Sequence, residues 1–200
     1  MSTIAGIFND IFTTLLGLYA FLVMLRFILQ LVKADFYNPI SQGVVRLTSP
    51  VLVPLRRIIP GVAGLDTASL VLVLVINIMS VSISSALHGF NPFSNLGIIL
   101  AYSAFKIIAG FMNIFVFCMF LGIILSWVAP MTRHPAALLS YQIAEPMMAP
   151  FRKIIPPMGG IDISPIFVLL ALNIVIRLLA AIAASMGIPL QILWGLFVIV

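Results

Sequence analysis

An eighteen-residue segment occurs twice in this chain, and its second copy begins 96 positions after the first. The first copy, Ser49–Asp66, reads SPVLVPLRRIIPGVAGLD, and the second, Glu145–Asp162, reads EPMMAPFRKIIPPMGGID. Repetition at one fixed offset indicates a chain built from two copies of one structural unit. The repeat therefore predicts two tandem units, residues 1–90 and 91–187, followed by a short tail at 188–200.

The composition places both units in a membrane. Charged residues make up 8% of the chain and apolar residues 63%, whereas a soluble domain has about 25% and 45–50%. A soluble core of this size cannot hide so much apolar surface, so lipid is the solvent for most of the chain. The sequence therefore predicts an all-α membrane protein.

Four apolar runs are long enough to cross a bilayer as helices. They are Ile11–Val32, Thr67–Leu87, Ile107–Val128 and Ile163–Ala184. About 20 helical residues at about 1.5 Å each cross a hydrocarbon core of about 30 Å. Leu96–Lys106 is either an extension of the third span or a separate lead-in segment, and the sequence leaves both open. The tail is apolar but too short to cross alone, which predicts an interfacial segment or one packed on the bundle.

Each unit carries a basic connector between its two spans, Lys33–Leu65 in the first and Pro130–Ile161 in the second. Asn38 and His134, each followed by proline, mark a helix start, because asparagine caps a helix well and proline fits the first helical position. Apolar residues then follow at helical spacing. The pattern predicts an amphipathic helix that lies in the membrane interface.

The repeated segment predicts a turn between this amphipathic helix and the next span. Pro50 and Pro54 are expected to end the first amphipathic helix, because proline lacks the amide donor and clashes with the preceding turn. Glycines then permit a tight bend, and an aspartate lies where a helix N-cap is wanted. The residues of the turn and caps are Pro60, Gly64 and Asp66 in the first unit and Pro156, Gly160 and Asp162 in the second.

Positive charge is concentrated in the connectors, which carry seven of the ten Lys and Arg residues. By the positive-inside rule, both connectors face the cytoplasm and both termini face outside. The two units then share one orientation. They are parallel repeats, unlike the inverted repeats of many transporters.

Within each repeated segment, two adjacent cations stand between a proline and an Ile-Ile-Pro sequence. They are Arg56 and Arg57 in the first unit and Arg152 and Lys153 in the second. The prolines stiffen the backbone, and each cation near a cytoplasmic leaflet contributes about 1 kcal/mol of attraction to anionic lipid. The pattern predicts a basic element that faces lipid or a partner. The alternative is charge that only retains the connectors inside.

Four polar residues within the predicted spans are further candidates: Arg26, Asn77, Asn173 and Arg177. The two asparagines lie near mid-membrane, where they would line a polar path or, as we favour, form hydrogen bonds between helices. Arg26 is expected to snorkel to the cytoplasmic face, whereas Arg177 lies nearer the outer end. An ionisable residue at such depth is a functional candidate by default. The different depths of the two arginines argue against one shared ion site.

The repeated segment and the residues around it resemble the sequences of the YggT family. The resemblance rests on NPISQ, LTSPVLVPLRRIIPGVAGLD, ILSW and EPMMAPFRKIIPPMGGIDISP, and it covers about Leu15–Arg177. It implies an inner-membrane protein connected with osmotic tolerance and potassium uptake, and in some members with cell division or envelope organisation. YlmG proteins of Gram-positive bacteria and a chloroplast relative belong to the same group, in which plastid members are connected with haem attachment to cytochrome b6 or with nucleoid distribution. The family supplies no catalytic residues to transfer, and the first copy departs from its usual Gly-Gly before the aspartate.

The sequence contains none of the residue patterns typical of an enzyme or of a metal or cofactor site. His88 and His134 lie in different loops, on opposite sides of the membrane under this topology, and Cys118 is the single cysteine. A zinc or haem site needs several convergent ligands. Neither a glycine-rich phosphate loop nor a Ser-His-Asp set occurs. We therefore expect a non-enzymatic protein with no catalytic, metal or cofactor residues.

Two functional hypotheses remain open. In the first, the protein is a structural or interaction platform whose connectors bind anionic lipid and membrane or cytoplasmic proteins. In the second, it is a small channel or transporter subunit, working as a homo-oligomer in potassium uptake or osmotic response. The lack of carboxylates inside the spans and the doubling of the basic element favour the platform. Nucleic acid is not an expected partner, since the net charge of +5 belongs to a membrane protein.

Overall fold

The computed structural model describes residues 3–62, 64–87, 96–128, 134–155 and 162–186. These residues form six helices: α1 Thr3–Leu31, α2 Pro39–Ile58, α3 Thr67–Leu87, α4 Leu96–Val128, α5 Pro135–Ile154 and α6 Ser164–Ser185. The predicted tail 188–200 and the turn residues Pro156 and Gly160 lie outside the described residues.

Four of these helices, α1, α3, α4 and α6, are long and apolar enough to cross a membrane. They confirm the prediction of a multi-pass all-α protein with four spans. The predicted starts of the first and third spans were too late, because α1 begins at Thr3 and α4 is continuous from Leu96. Leu96–Lys106 is therefore an extension of the third span. At about 1.5 Å per residue, α4 is about 50 Å long and exceeds the hydrocarbon thickness of about 30 Å.

The amphipathic helices α2 and α5 begin where their capping residues predict. The side-chain oxygen of Asn38 accepts a hydrogen bond from the Ile40 N–H at 2.9 Å. At the equivalent position, Nδ1 of His134 accepts from the Ala136 N–H at 3.2 Å. A proline follows each cap at the first helical position, where its missing donor has no cost.

The prolines inside α2 and α5 do not break these helices, so the expectation that Pro50 and Pro54 end the first one is wrong. α2 continues to Ile58 and α5 to Ile154. All four internal prolines are exposed, and so are the residues four positions earlier, whose carbonyls lose their helical donor. Because water or lipid headgroups reach these carbonyls, the lost bonds cost less than they would inside a buried helix.

The helices of each repeat pack together, and the repeats share one core. α1 packs on α3, both contact α2, α4 packs on α5 and α6, and α3 meets α4 between the repeats. The largest buried cluster joins α1, α2 and α3 with Ile114 and Cys118 of α4 and Ile143 of α5. A second cluster, which includes Met119 and Val168, belongs to the second repeat alone.

The starts of α2 and α5 are tied to each other. Nδ2 of Asn38 donates a hydrogen bond to the Pro135 carbonyl at 2.8 Å. Three residues earlier, the backbone N–H of Asp35 donates to Oε1 of Gln142 at 3.0 Å. Asn38 is buried, and it caps its own helix while it also bonds to the other repeat. These contacts place the two amphipathic helices on the same side of the four spans.

Candidate functional site

The first arginine of each repeated segment is paired with the aspartate that ends the segment. Nε of Arg56 donates to Oδ1 of Asp66 at 3.2 Å, and its Nη2 donates to Oδ2. In the second repeat, Nε of Arg152 donates to Oδ2 of Asp162 at 2.8 Å, and its Nη1 donates to Glu145 at 2.6 Å. Each pair joins the last turn of an amphipathic helix to the start of the following span.

The two aspartates are ionised and accept hydrogen bonds at the starts of α3 and α6. The N-cap of α6 is Ile163, one residue later than the predicted cap Asp162. Burial alone raises the pKa of Asp66, but hydrogen bonds from Arg56 and Ser69 outweigh burial and bring the pKa below its usual value. The pKa of Asp162 is lowered in the same way, by Arg152 and Ser164 acting against burial. Asp66 directly precedes α3, whereas Asp162 lies one residue further from α6 and accepts from the Ser164 N–H at 2.9 Å.

The turn between α2 and α3 needs a glycine at one position. Gly64 has a φ of 80°, in the left-handed region that favours glycine. Val62 and Leu65 exchange backbone hydrogen bonds of 3.2 and 2.9 Å around it. Oγ1 of Thr67 donates to the Pro60 carbonyl at 2.7 Å, which closes the turn. The described part of the repeated turn is therefore fixed by its own hydrogen bonds.

The second cation of each repeated segment is exposed, together with the isoleucine that follows it. Arg57 and Lys153 are both exposed. Ile58 is 79% exposed and Ile154 is 78% exposed. An apolar side chain beside a cation on an amphipathic helix is typical of segments that enter a membrane interface. We call Arg57-Ile58 and Lys153-Ile154 the anchor pairs.

An exposed apolar stripe runs along α2 but not along α5. Its members recur at intervals of seven, four and seven residues, within about 40° of one another at about 100° per residue. They are Ile40, Leu47, Val51 and Ile58. Ile143 occupies the position in α5 that corresponds to Leu47, and it is 2% exposed because it belongs to the shared core, whereas Leu47 is 60% exposed. The first repeat therefore presents the larger apolar surface.

Arg26 is buried against α2, and the expectation that it snorkels to the cytoplasmic face stays a prediction. Its Nη1 donates to the Val45 carbonyl at 3.2 Å, to Oγ1 of Thr48 at 2.8 Å and to Oγ of Ser49 at 3.0 Å. Only 8% of the residue is exposed. The physical reason is that α2 packs over the inner end of α1 and supplies these acceptors.

Asn77 and Asn173 have different surroundings. Asn77 is buried in α3, and its Nδ2 has no hydrogen-bond partner among the described residues. Asn173 accepts a hydrogen bond of 3.0 Å from Nε of Arg177, one turn later in the same helix. The proposed role of the two asparagines between helices stays a prediction.

The pairing of Arg56 with Asp66 was not predicted, because Arg56 was interpreted as facing lipid or a partner. The sequence nevertheless contains a pattern that indicates this pairing. In both repeats the aspartate lies ten positions after the arginine, and a turn with a glycine lies between them in the first repeat. Opposite charges kept at one spacing on either side of a turn indicate an ion pair within the repeat. The hydroxyl acceptors of Arg26 lack such a signal, since they come from a different helix.

The family model described as CCB3/YggT matches residues 5–87 and 101–183, once for each repeat. The chain belongs to the CCB3/YggT family. The resemblance seen in the sequence is therefore confirmed, and so is the organisation in two tandem repeats. No solved structure matches the chain.

Relatives in the CCB3/YggT family match over most of their length. An uncharacterized protein of Pseudomonas aeruginosa is 46% identical over 183 residues, which cover 91% of this chain and 93% of that protein. A protein of Vibrio alginolyticus is 39% identical over 163 residues, which cover 80% and 86%. The uncharacterized protein YggT of Escherichia coli K12 is 33% identical over 164 residues, which cover 82% and 84%. These names assign no activity, so function has to be argued from geometry.

Proposed function

We propose that this member of the CCB3/YggT family is a non-enzymatic platform of the bacterial inner membrane, whose amphipathic helices bind anionic lipid at the cytoplasmic face. The observation that carries the proposal is the anchor pair, which occurs at the same position of both repeats. In each repeat, one cation is bonded to an aspartate of the fold, and the next cation is exposed beside an exposed isoleucine.

The anchor pairs contribute enough free energy to position the amphipathic helices at the membrane surface. A cation near an anionic leaflet contributes about 1 kcal/mol, and full burial of an isoleucine side chain contributes about 1.5–3 kcal/mol. Four spans already hold the chain in the membrane, so the anchor pairs are not needed for insertion. They fix the height of α2 and α5 at the headgroups and gather anionic lipid around the chain.

The same surface provides a place for partner proteins. The contact of α2 with α5 supports a common side for both connectors, which the positive-inside rule assigns to the cytoplasm, with both termini outside. The apolar stripe of α2 adds area that a membrane or cytoplasmic protein can cover. We assign the platform to osmotic tolerance and envelope organisation on the strength of the family resemblance.

The proposal is tested by growth of a deletion strain in hyperosmotic medium. The variant Arg57→Gln/Lys153→Gln should fail to restore growth, because both anchor cations are removed. The control Arg46→Gln/Arg133→Gln also removes one positive charge from each connector, but at other positions, and should restore growth. Arg133 lies outside the described residues and is used for its charge alone. Equal rescue by both variants, at equal membrane levels, would contradict the proposal.

A channel or transporter subunit is the second candidate, and Asn77 favours it. A buried amide nitrogen without a described partner, near the middle of a span, is suited to bond a water on a polar path. Potassium flux into vesicles that contain the purified protein separates the two candidates. If the protein is a platform, the potassium flux into these vesicles should equal the flux into vesicles without protein, with or without an osmotic gradient. A flux that Asn77→Leu abolishes would favour the channel.

A further inference from the structure

The inner end of α1 and the adjoining part of α2 enclose a cavity of about 240 Å³ with three cations in its wall, Arg26, Lys33 and Arg56. Arg56 is bonded to Asp66. Neither of the other two cations has a carboxylate partner among the described residues. The nearby Asp35 directs its carboxylate to the Tyr37 N–H instead. A cleft lined by charge of one sign attracts the opposite ion.

Arg26 has hydrogen-bond donors to spare. Its bonds to α2 all come from Nη1, although a guanidinium carries five N–H donors on three nitrogens. Nε and Nη2 therefore make no hydrogen bond to the described residues. A buried charge of this kind is stable only when it is paired and hydrogen-bonded.

Ser41 supplies a further unused group in the same wall. It lies in the first turn of α2, lines the cavity and is 2% exposed. Its Oγ has no hydrogen-bond partner among the described residues. Buried hydroxyls in native proteins are nearly always bonded. The wall of the cavity therefore contains one hydroxyl donor that the described residues leave unused.

Lys33 is held at the cavity by a backbone conformation that glycine would adopt more easily. Its φ is 52°, in the left-handed region. The N–H of Lys33 bonds to the Gln30 carbonyl at 3.2 Å, and that of Ala34 bonds to the Leu29 carbonyl at 2.9 Å. These two bonds form the helix-ending motif in which this position is usually glycine. Strain of this kind is typical of functional sites.

The second repeat lacks this arrangement, although it has the same fold. The positions that correspond to Arg26, Lys33 and Ser41 hold Gly122, Ala129 and Ala137. The arginine that both repeats keep is bonded to two carboxylates in the second repeat and to one in the first. The excess of positive charge is therefore a property of the first repeat and not of the repeated fold.

We propose that this cavity binds a phosphate group. Phosphate oxygens accept charge-assisted hydrogen bonds from guanidinium, ammonium and hydroxyl donors, which are the groups that the wall leaves unused. A cavity of about 240 Å³ accommodates a phosphate with a small polar substituent. The phosphate comes either from the headgroup of a lipid in the same leaflet or from solution. The site is independent of the anchor pairs, because it shares no residue with them.

Calorimetry on the full-length protein, in a non-ionic detergent free of phosphate, tests the site with three probes: inorganic phosphate, glycerol phosphate and phosphatidylglycerol in mixed micelles. We expect saturable binding with one site per chain, measured with the Arg57→Gln/Lys153→Gln variant so that the anchor cations do not bind the lipid probe. Tighter binding of glycerol phosphate or phosphatidylglycerol than of inorganic phosphate assigns the site to lipid headgroups. Equal or tighter binding of inorganic phosphate assigns it to the free ion. No saturable binding of any probe would overturn the proposal.

Two variants that keep the fold locate the binding. Lys33→Gly relieves the left-handed backbone, so the midpoint of unfolding should stay the same or rise while phosphate affinity falls about tenfold. Ser41→Ala should also weaken binding about tenfold. Ala137→Ser is the matched change in the second repeat, and Arg46→Gln removes an exposed charge of α2 that does not line the cavity. Both should leave affinity unchanged. Unchanged affinity in Lys33→Gly and Ser41→Ala, or an equal loss in Arg46→Gln, would contradict a site in this cavity.

Discussion

At the scale of single residues, the two cations of each repeated segment have different neighbours and therefore different roles. Arg56 and Arg152 are bonded to carboxylates and stabilise the repeated turn. Arg57 and Lys153 are exposed and available to lipid. From the sequence, all four cations were interpreted as facing lipid or a partner. The side chains of two adjacent residues take different directions once the helix and the turn have formed, and the sequence pattern does not show this.

Replacement of Asp66 by Asn measures the pairing with Arg56. The variant should lower the free energy of unfolding in mixed micelles by about 1.5–3 kcal/mol, the range for hydrogen bonds to charged groups. Asp162→Asn, the matched change, should cost less, since Arg152 keeps Glu145 and Asp162 is more exposed. A larger loss in Asp162→Asn would contradict this assignment.

The same pair predicts the dependence of stability on pH. The pKa of Asp66 is lowered in the folded state, so its contribution is present above the unfolded value of about 4 and is lost as pH falls through the folded pKa. The difference in unfolding free energy between the wild type and Asp66→Asn should therefore be full at pH 6 and shrink below about pH 4. A difference independent of pH over this range would show that the carboxylate charge does not matter.

At the scale of helices, features that depend on neighbouring residues could be predicted from the sequence. Features that depend on contacts with another helix could not. Asn38 and His134 cap α2 and α5 as expected, since capping depends on neighbours one turn away. The early starts of α1 and α4 were missed because polar residues such as Asp10 and Lys106 interrupt the apolar runs, although a long helix accommodates them. The burial of Arg26 was missed because its acceptors belong to α2.

The sidedness of α2 and α5 is tested by labelling single cysteines in a Cys118→Ser background. Cysteines at the exposed positions Gln42 and Leu138 should be protected from an impermeant thiol reagent in intact cells and react after lysis. A cysteine at Leu96, at the exposed start of α4, should react in intact cells. Labelling of Gln42→Cys or Leu138→Cys from outside would overturn the cytoplasmic assignment of the connectors.

At the scale of the whole molecule, the two repeats are joined by a shared core and by the bond from Asn38 to the Pro135 carbonyl. The repeat predicted two similar units, and the structure shows where they differ. The first repeat carries the apolar stripe and the cationic cavity, whereas in α5 the position that corresponds to Leu47 holds Ile143, which is buried in the core. These differences arise from contacts between the repeats, and such contacts cannot be predicted from the sequence of one repeat alone.

Asn38→Ser isolates the bond between the repeats, because serine caps a helix about as well as asparagine but lacks the amide donor. The free energy of unfolding should fall by about 1 kcal/mol, since the partly buried Pro135 carbonyl loses its partner. His134→Ser makes the matched change at the exposed cap of α5 and should cost less than about 0.5 kcal/mol. Equal losses in the two variants would show that capping, and not the contact between repeats, sets the effect.

The most direct test of the platform is the lipid composition of the shell around the protein. Spin-labelled phosphatidylglycerol and phosphatidylcholine, compared in vesicles that contain the purified chain, report how much of each lipid is immobilised by the protein. We predict a preference for phosphatidylglycerol that Arg57→Gln/Lys153→Gln removes, that Arg46→Gln/Arg133→Gln retains and that high salt weakens. A wild-type shell without preference, or a preference that survives the loss of both anchor cations, would contradict the account.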